Sequence, residues 1–139
     1  MPIVTERISL ATKGFTDIHD ITPPVRTALK KAGLQNGTVT VFVSGSTAGV
    51  TTIEYEPGLL KDLPAVFEKL APMNVRYHHD DTWGDGNGYA HVRAALLGPS
   101  LVVPFENCDL LLGTWQQIVL IDFDNRPRRR EIVLQFMSE

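Results

Sequence analysis

The chain has 139 residues, 13 of them basic and 16 acidic, for a formal net charge of −3. That length fits one domain with a proper core, here residues 1–139. The basic residues are dispersed apart from Arg126 to Arg130, which disfavours nucleic acid as a partner. The single Cys108 excludes an internal disulfide, and no apolar run is long enough to span a bilayer or serve as a signal sequence, so a soluble cytoplasmic protein is expected.

Thr22 followed by Pro23 and Pro24 predicts a helix start, because proline tolerates the first turn, where backbone N–H groups lack partners. Val25, Ala28, Leu29 and Ala32 then recur at helical spacing, and Gly33 ends the helix. After the Asn36-Gly37 turn signal, Thr38 to Ser44 alternates β-branched and apolar residues, and Val50 to Tyr55 reads as a second strand beyond a Gly-Ser-Thr-Ala-Gly loop. Leu59, Leu63, Val66, Phe67 and Leu70 form another amphipathic stripe. Pro64 fits a helix that begins near Asp62, and Pro72 closes it.

Asn74 to Gly88 is polar and rich in Asp and Gly, which predicts a long functional loop. Tyr89 to Leu97 reads as a short helix. Leu101 to Phe105, Gln117 to Phe123 and Glu131 to Met137 read as strands, the last two joined through a turn at Asp124 to Arg130. Strands interrupted by two or three helices without strict alternation predict an α+β fold with a largely antiparallel sheet.

Among chemistry-bearing residues, His79 and His91 suit metal binding or proton exchange near neutral pH, although their spacing is uninformative and by itself favours two loop or surface histidines. The Asp81 to Asn87 run places Gly86 as a calcium loop would. Trp83 and Val92 stand where that loop needs its third ligand and its bidentate glutamate, so the calcium reading fails and a turn presenting Asn87 is favoured. Gly45 to Gly49 lacks the lysine of a nucleotide-binding loop, yet its small residues suit either phosphate contact through Ser46 and Thr47 or an ordinary tight connection. Arg128 and Arg130 alternate and so share a face, which fits bidentate phosphate binding or a solvated hairpin. Trp115 suits core or interface, whereas packing alone explains Gln116 at the start of a strand less well.

Ser46-Thr47-Ala48, Thr51, Glu54, His79-Asp80, Asn87, His91, Gly113-Thr114-Trp115-Gln116-Gln117 and Pro127-Arg128-Arg129-Arg130 occur in an order that resembles the YjbQ-like family, also called secondary thiamine-phosphate synthases. The chain departs from it at Gly45, where many members carry a histidine. The resemblance implies joining of hydroxymethylpyrimidine diphosphate to a thiazole phosphate with release of diphosphate, as a main or secondary activity. It implies a pocket in which Glu54, His79 and His91 bind zinc, magnesium or manganese or handle protons, with no organic cofactor. Asn87 and Gln116 would orient a phosphorylated small-molecule substrate, and Ser46, Thr47, Arg128 and Arg130 would hold its phosphates. A homotrimer is also implied. The alternative, motivated by Gly45, is a trimeric protein that binds a metal or phosphometabolite without turnover.

Overall fold

The computed structural model describes residues 2–139. Twelve elements follow in chain order: β1 (Ile3–Thr12), β2 (Asp17–Asp20), α1 (Thr22–Ala32), β3 (Gly37–Val43), β4 (Ala48–Ile53), α2 (Leu59–Leu70), α3 (His78–Trp83), α4 (Gly88–Leu97), β5 (Ser100–Glu106), β6 (Asp109–Leu110), β7 (Gln117–Asp122) and β8 (Arg128–Ser138). The strands form two antiparallel sheets, one ordered β1-β8-β3-β5-β6 and the other β2-β7-β4. The predicted α+β fold with antiparallel pairing is what the chain adopts. No helix among the described residues is long and apolar enough to cross a membrane.

The burial of β7 explains its uninterrupted apolar run. Ile118 and Leu120 join a core shared with α1 (Val25, Leu29) and the five-stranded sheet (Val39, Val41, Ile132, Leu134, Phe136). Val119, Ile121 and Phe123 point the opposite way, into a second core with Phe67 of α2 and Tyr89, Ala90 and Ala94 of α4. A strand covered on both faces has no polar alternate positions. β8 shows the other pattern, since Arg130, Ile132, Leu134, Phe136 and Ser138 face inward at period two.

Several expectations need correction. The long loop after Asn74 contains helix α3, a single turn and a half too short to show a periodic apolar stripe. Helix α2 begins at Leu59 rather than near Asp62 and holds Pro64 inside it. Its first turn is secured instead by Glu56, whose carboxylate accepts from the backbone N–H groups of Gly58 and Leu59. β7 and β8 do not form a hairpin, because the Asp124 to Arg130 turn carries the chain from one sheet to the other. The ten-residue β1 and short β2 have no counterpart among the predicted strands; β1 is held at the edge by its full-length pairing with β8.

Because Leu120 is fully buried at the centre of this arrangement, Leu120→Ala is expected to lower unfolding free energy by about 2–5 kcal/mol. Urea denaturation followed by circular dichroism measures it, and a loss under about 1 kcal/mol would contradict the central position of β7.

Candidate functional site

The site forms where β7 ends and the chain crosses between sheets. Asp122 and Asp124 are both fully buried, and the two arginines at the start of β8 reach back to them. Arg130 donates through Nε and Nη2 to the two oxygens of Asp122, at 2.6 and 2.9 Å, and through Nη2 to Thr47 Oγ1 at 2.6 Å. Thr12 of β1 and the Asp124 backbone N–H complete the donors around Asp122. Thr47 in turn donates to Asp124 Oδ2 at 2.9 Å, and Arg128 Nε donates to the same oxygen at 3.0 Å. Burial works to raise the Asp124 pKa, but the hydrogen bonds from Thr47 and Arg128, the nearby Asn87 amide and the Arg128 charge outweigh it and hold the acid below its ordinary value.

Around this network lies a cavity of about 250 Å³ lined by Gly45, Ser46, Thr47, Asp85, Asn87, His91, Asp124, Arg128 and Arg130. A second lobe of about 320 Å³ shares Gly45, Ser46 and His91 with it and adds Ala48, Ala94, Ala95 and Pro99, which make it mostly apolar. The predicted residues Ser46, Thr47, Asn87, His91, Arg128 and Arg130 therefore do converge. Asn87 is buried and structural as well as adjacent: its side-chain oxygen accepts from the Asn125 backbone N–H at 3.0 Å, tying the start of α4 to the sheet crossing. His79 stacks on His91 with ring centroids 4.1 Å apart. Burial first, then the neighbouring His79, lower the His91 pKa from its ordinary 6.5, against the pull of Asp85, Asp124 and Asp80.

Other predicted members are elsewhere. β4 runs from Ala48, paired with Asp122, to Ile53, paired with Gln117, so Glu54 lies at the far end of the strand, about 20 Å along the chain at about 3.3 Å per residue. Glu54 thus does not share a metal site with His79 and His91 within one chain. The group whose ligand atoms do come together, all within 4.8 Å, is His79, Asp80 and Asp85. His78, beside His79 in the chain, is fully exposed and turned towards Asp81. Gln116 is also at the far end, where its amide donates to Thr52 Oγ1 and its oxygen accepts from the Gly113 backbone N–H, both at 3.0 Å. Those bonds explain why a polar residue stands at the start of β7. Trp115 is 70% exposed and belongs to neither core.

Arg130 also differs from the expected free phosphate clamp, since two of its three nitrogens are committed to Asp122 and Thr47. Sequence reasoning missed Asp85, Asp122 and Asp124. The signal for the last two was present: acids at alternate positions closing an apolar strand, followed by arginines at alternate positions opening the next.

This arrangement belongs to a recognisable class of small two-sheet α+β proteins. The profile of the family described as "UPF0047 protein YjbQ-like" matches residues 6–139. An Archaeoglobus fulgidus UPF0047 protein is 38% identical over 128 residues, covering 92% of this chain and 97% of that one. A Methanothermobacter thermautotrophicus UPF0047 protein is 36% identical over 132 residues, 95% of this chain and 90% of its own. Among solved structures, a Sulfolobus solfataricus protein described as YbjQ-like and of unknown function superposes with a TM-score of 0.93 at 30% identity, covering 99% of both chains. A hypothetical protein from Aeropyrum pernix gives 0.90 at 30% identity, over 98% of this chain and 99% of that one. The chain belongs to the YjbQ-like UPF0047 family.

Two outcomes test the site's construction. Removing Arg130 leaves Asp122 buried and uncompensated, so Arg130→Ala is expected to cost about 3–5 kcal/mol in urea denaturation, whereas the half-exposed Arg128 should cost no more than about 1 kcal/mol. The His91 imidazole should titrate below 6.5 by NMR. Since the unfolded chain then binds that proton first, the His91 contribution to stability is complete above pH 6.5 and declines as pH falls from there through the folded value.

Proposed function

We propose that the two-lobed cavity binds a phosphorylated small molecule, with its phosphate at Arg128 and Ser46 and its body in the apolar lobe beside Ala48, Ala94, Ala95 and Pro99. The observation that carries this reading is the convergence of two guanidinium groups, a neutral imidazole and the Gly45 to Thr47 loop on one opening. Arg128 has its Nε on Asp124 and lines the cavity, so its terminal nitrogens would be available to phosphate oxygens. Ser46 is exposed and carries its hydroxyl at the rim.

The reaction that suits this site is the thiamine-phosphate synthase step implied by the resemblance. A bond forms between the thiazole nitrogen and the pyrimidine methylene carbon, while the carbon–oxygen bond to diphosphate breaks and diphosphate leaves with the electron pair. Negative charge develops on that leaving group, and fixed donors aimed at it lower the barrier. Arg128, Ser46 and the loop N–H groups serve that role. The ring nitrogen becomes quaternary without losing a proton, so this step needs no base, and His91, held neutral, leaves the positive charge of the opening on the arginine side.

His79, Asp80 and Asp85 offer nitrogen and oxygen donors that fit magnesium, manganese or zinc. Their fit is supported by His79 Nδ1, which is buried without a hydrogen-bond partner and lies 3.8 and 3.6 Å from carboxylate oxygens of Asp80 and Asp85. A divalent ion held there would supply positive charge to a diphosphate.

A homotrimer completes the reading. Val102, Leu111 and Trp115 are each more than half exposed near Gln116, and a neighbouring copy would cover them and bring Glu54 and Gln116 to another subunit's cavity. Gly45 favours a second reading, a binding protein that uses the same cavity without turnover.

Arg128→Ala should lower thiamine phosphate formation at least about tenfold with the fold preserved. Direct product detection decides between the readings. No product from the wild type, with retained phosphate binding, supports the binding protein; no phosphate binding by calorimetry rejects both. Light scattering should give three times 15.4 kDa, and a stable monomer on dilution rejects the shared site.

A further inference from the structure

We infer that the absence of a side chain at Gly45 opens a second anion subsite on Arg130, so that the cavity prefers a ligand with two linked phosphoryl groups over one with a single phosphate. The inference rests on the phosphate-binding reading above and specifies its ligand.

Arg130 is anchored along one edge. Nε and Nη2 pair with Asp122, and Nη2 also donates to Thr47, so the guanidinium plane is fixed. Nη1 makes no hydrogen bond among the described residues and is not among the buried unpartnered atoms, which leaves it reachable from the cavity. What stands in front of it is Gly45. A Cβ at that position would come within 2.8 Å of Nη1, closer than such an atom can pack without displacing the guanidinium. The backbone there has φ +112°, a conformation that favours glycine independently of the space. Gly45 and Arg130 line the same cavity as Ser46 and Arg128.

The two guanidinium groups are also close together. Arg128 Nε lies 3.0 Å and Arg130 Nη2 3.8 Å from the same oxygen of Asp124. Both side chains thus converge on one carboxylate and line one cavity, so a phosphoryl group held by Arg128 places a linked neighbour on the Arg130 side of the same opening. The anchoring on Asp122 means that Arg130 loses little side-chain freedom on binding, which makes a single well-placed N–H group count. Any larger side chain at position 45 would fill the space before Nη1. The missing side chain thus acts as a specificity feature, with Gly45 the residue that sets it.

Calorimetry with inorganic phosphate and inorganic diphosphate tests this. Wild type is expected to bind diphosphate at least about tenfold more tightly than phosphate. Gly45→Ala should remove most of that difference while changing phosphate affinity by less than about twofold. Because alanine is strained at this φ, the wild type supplies a second readout: NMR signals of the Arg130 guanidinium should move with diphosphate and stay in place with phosphate. Equal affinities for the two anions, unmoved Arg130 signals at saturating diphosphate, or a preference that persists in Gly45→Ala would overturn the inference and leave the phosphate cavity standing. If neither anion binds, both the inference and the phosphate-binding reading are overturned.

Discussion

The bidentate pairing of Arg130 with Asp122 is the constraint on which the site depends. It joins the first inward position of β8 to the last residue of β7, and so fixes where one sheet hands the chain to the other. Both groups are removed from water, a costly arrangement unless every donor and acceptor is matched. Here Thr12, Thr47 and the Asp124 backbone N–H supply further bonds, and Arg130 Nη1 alone is left open to the cavity. An apolar replacement would pack as well but would not specify how these segments meet.

From that pair the organisation spreads outward by shared atoms. Thr47 accepts from Arg130 and donates to Asp124, and its carbonyl accepts from the Phe123 backbone N–H, so the loop after β3 cannot move without disturbing β7. Asn87 ties the start of α4 to Asn125 just beyond. The cavity is consequently lined by groups whose positions are set by buried bonds rather than by flexible loops, which is what preorganised recognition requires. A second buried arginine performs a comparable task behind the cavity: Arg93 of α4 bonds to the Ala71 carbonyl, Thr16 and Glu68 and lies over the Tyr89 ring, clamping α4 to the end of α2. Tyr89 beneath it is buried deeply enough that its hydroxyl pKa is pushed up to about 12, so it stays neutral.

Electrostatically the opening has two sides. Arg128 and Arg130 offer donors, while His91, His79, Asp80 and Asp85 offer acceptors on α3, α4 and the turn between them. Keeping His91 uncharged prevents it from merging into the cationic side. A ligand that spans both sides meets opposite demands at its two ends, and this limits which molecules fit.

The sequence by itself determined most element types from α1 onward, the α+β class and the order of motifs that places the chain in its family, because periodicity, glycine, proline and turn chemistry act over a few residues. It also brought Ser46, Thr47, Asn87, His91, Arg128 and Arg130 forward as candidates. Tertiary structure alone decided which candidates meet. The register of β4 on β7 sends Glu54 and Gln116 to the far end, since six residues of extended strand cannot be folded back on themselves. The same pairing buries Asp122 beside Arg130 and converts an expected free clamp into an anchored one. β1 and the crossing between sheets were equally invisible, because strand pairing joins residues more than a hundred positions apart, as Thr12 with Arg128 shows. Gly45 is the sharpest case: its identity is plain in the sequence, but only the approach of Arg130 Nη1 gives its missing side chain a consequence.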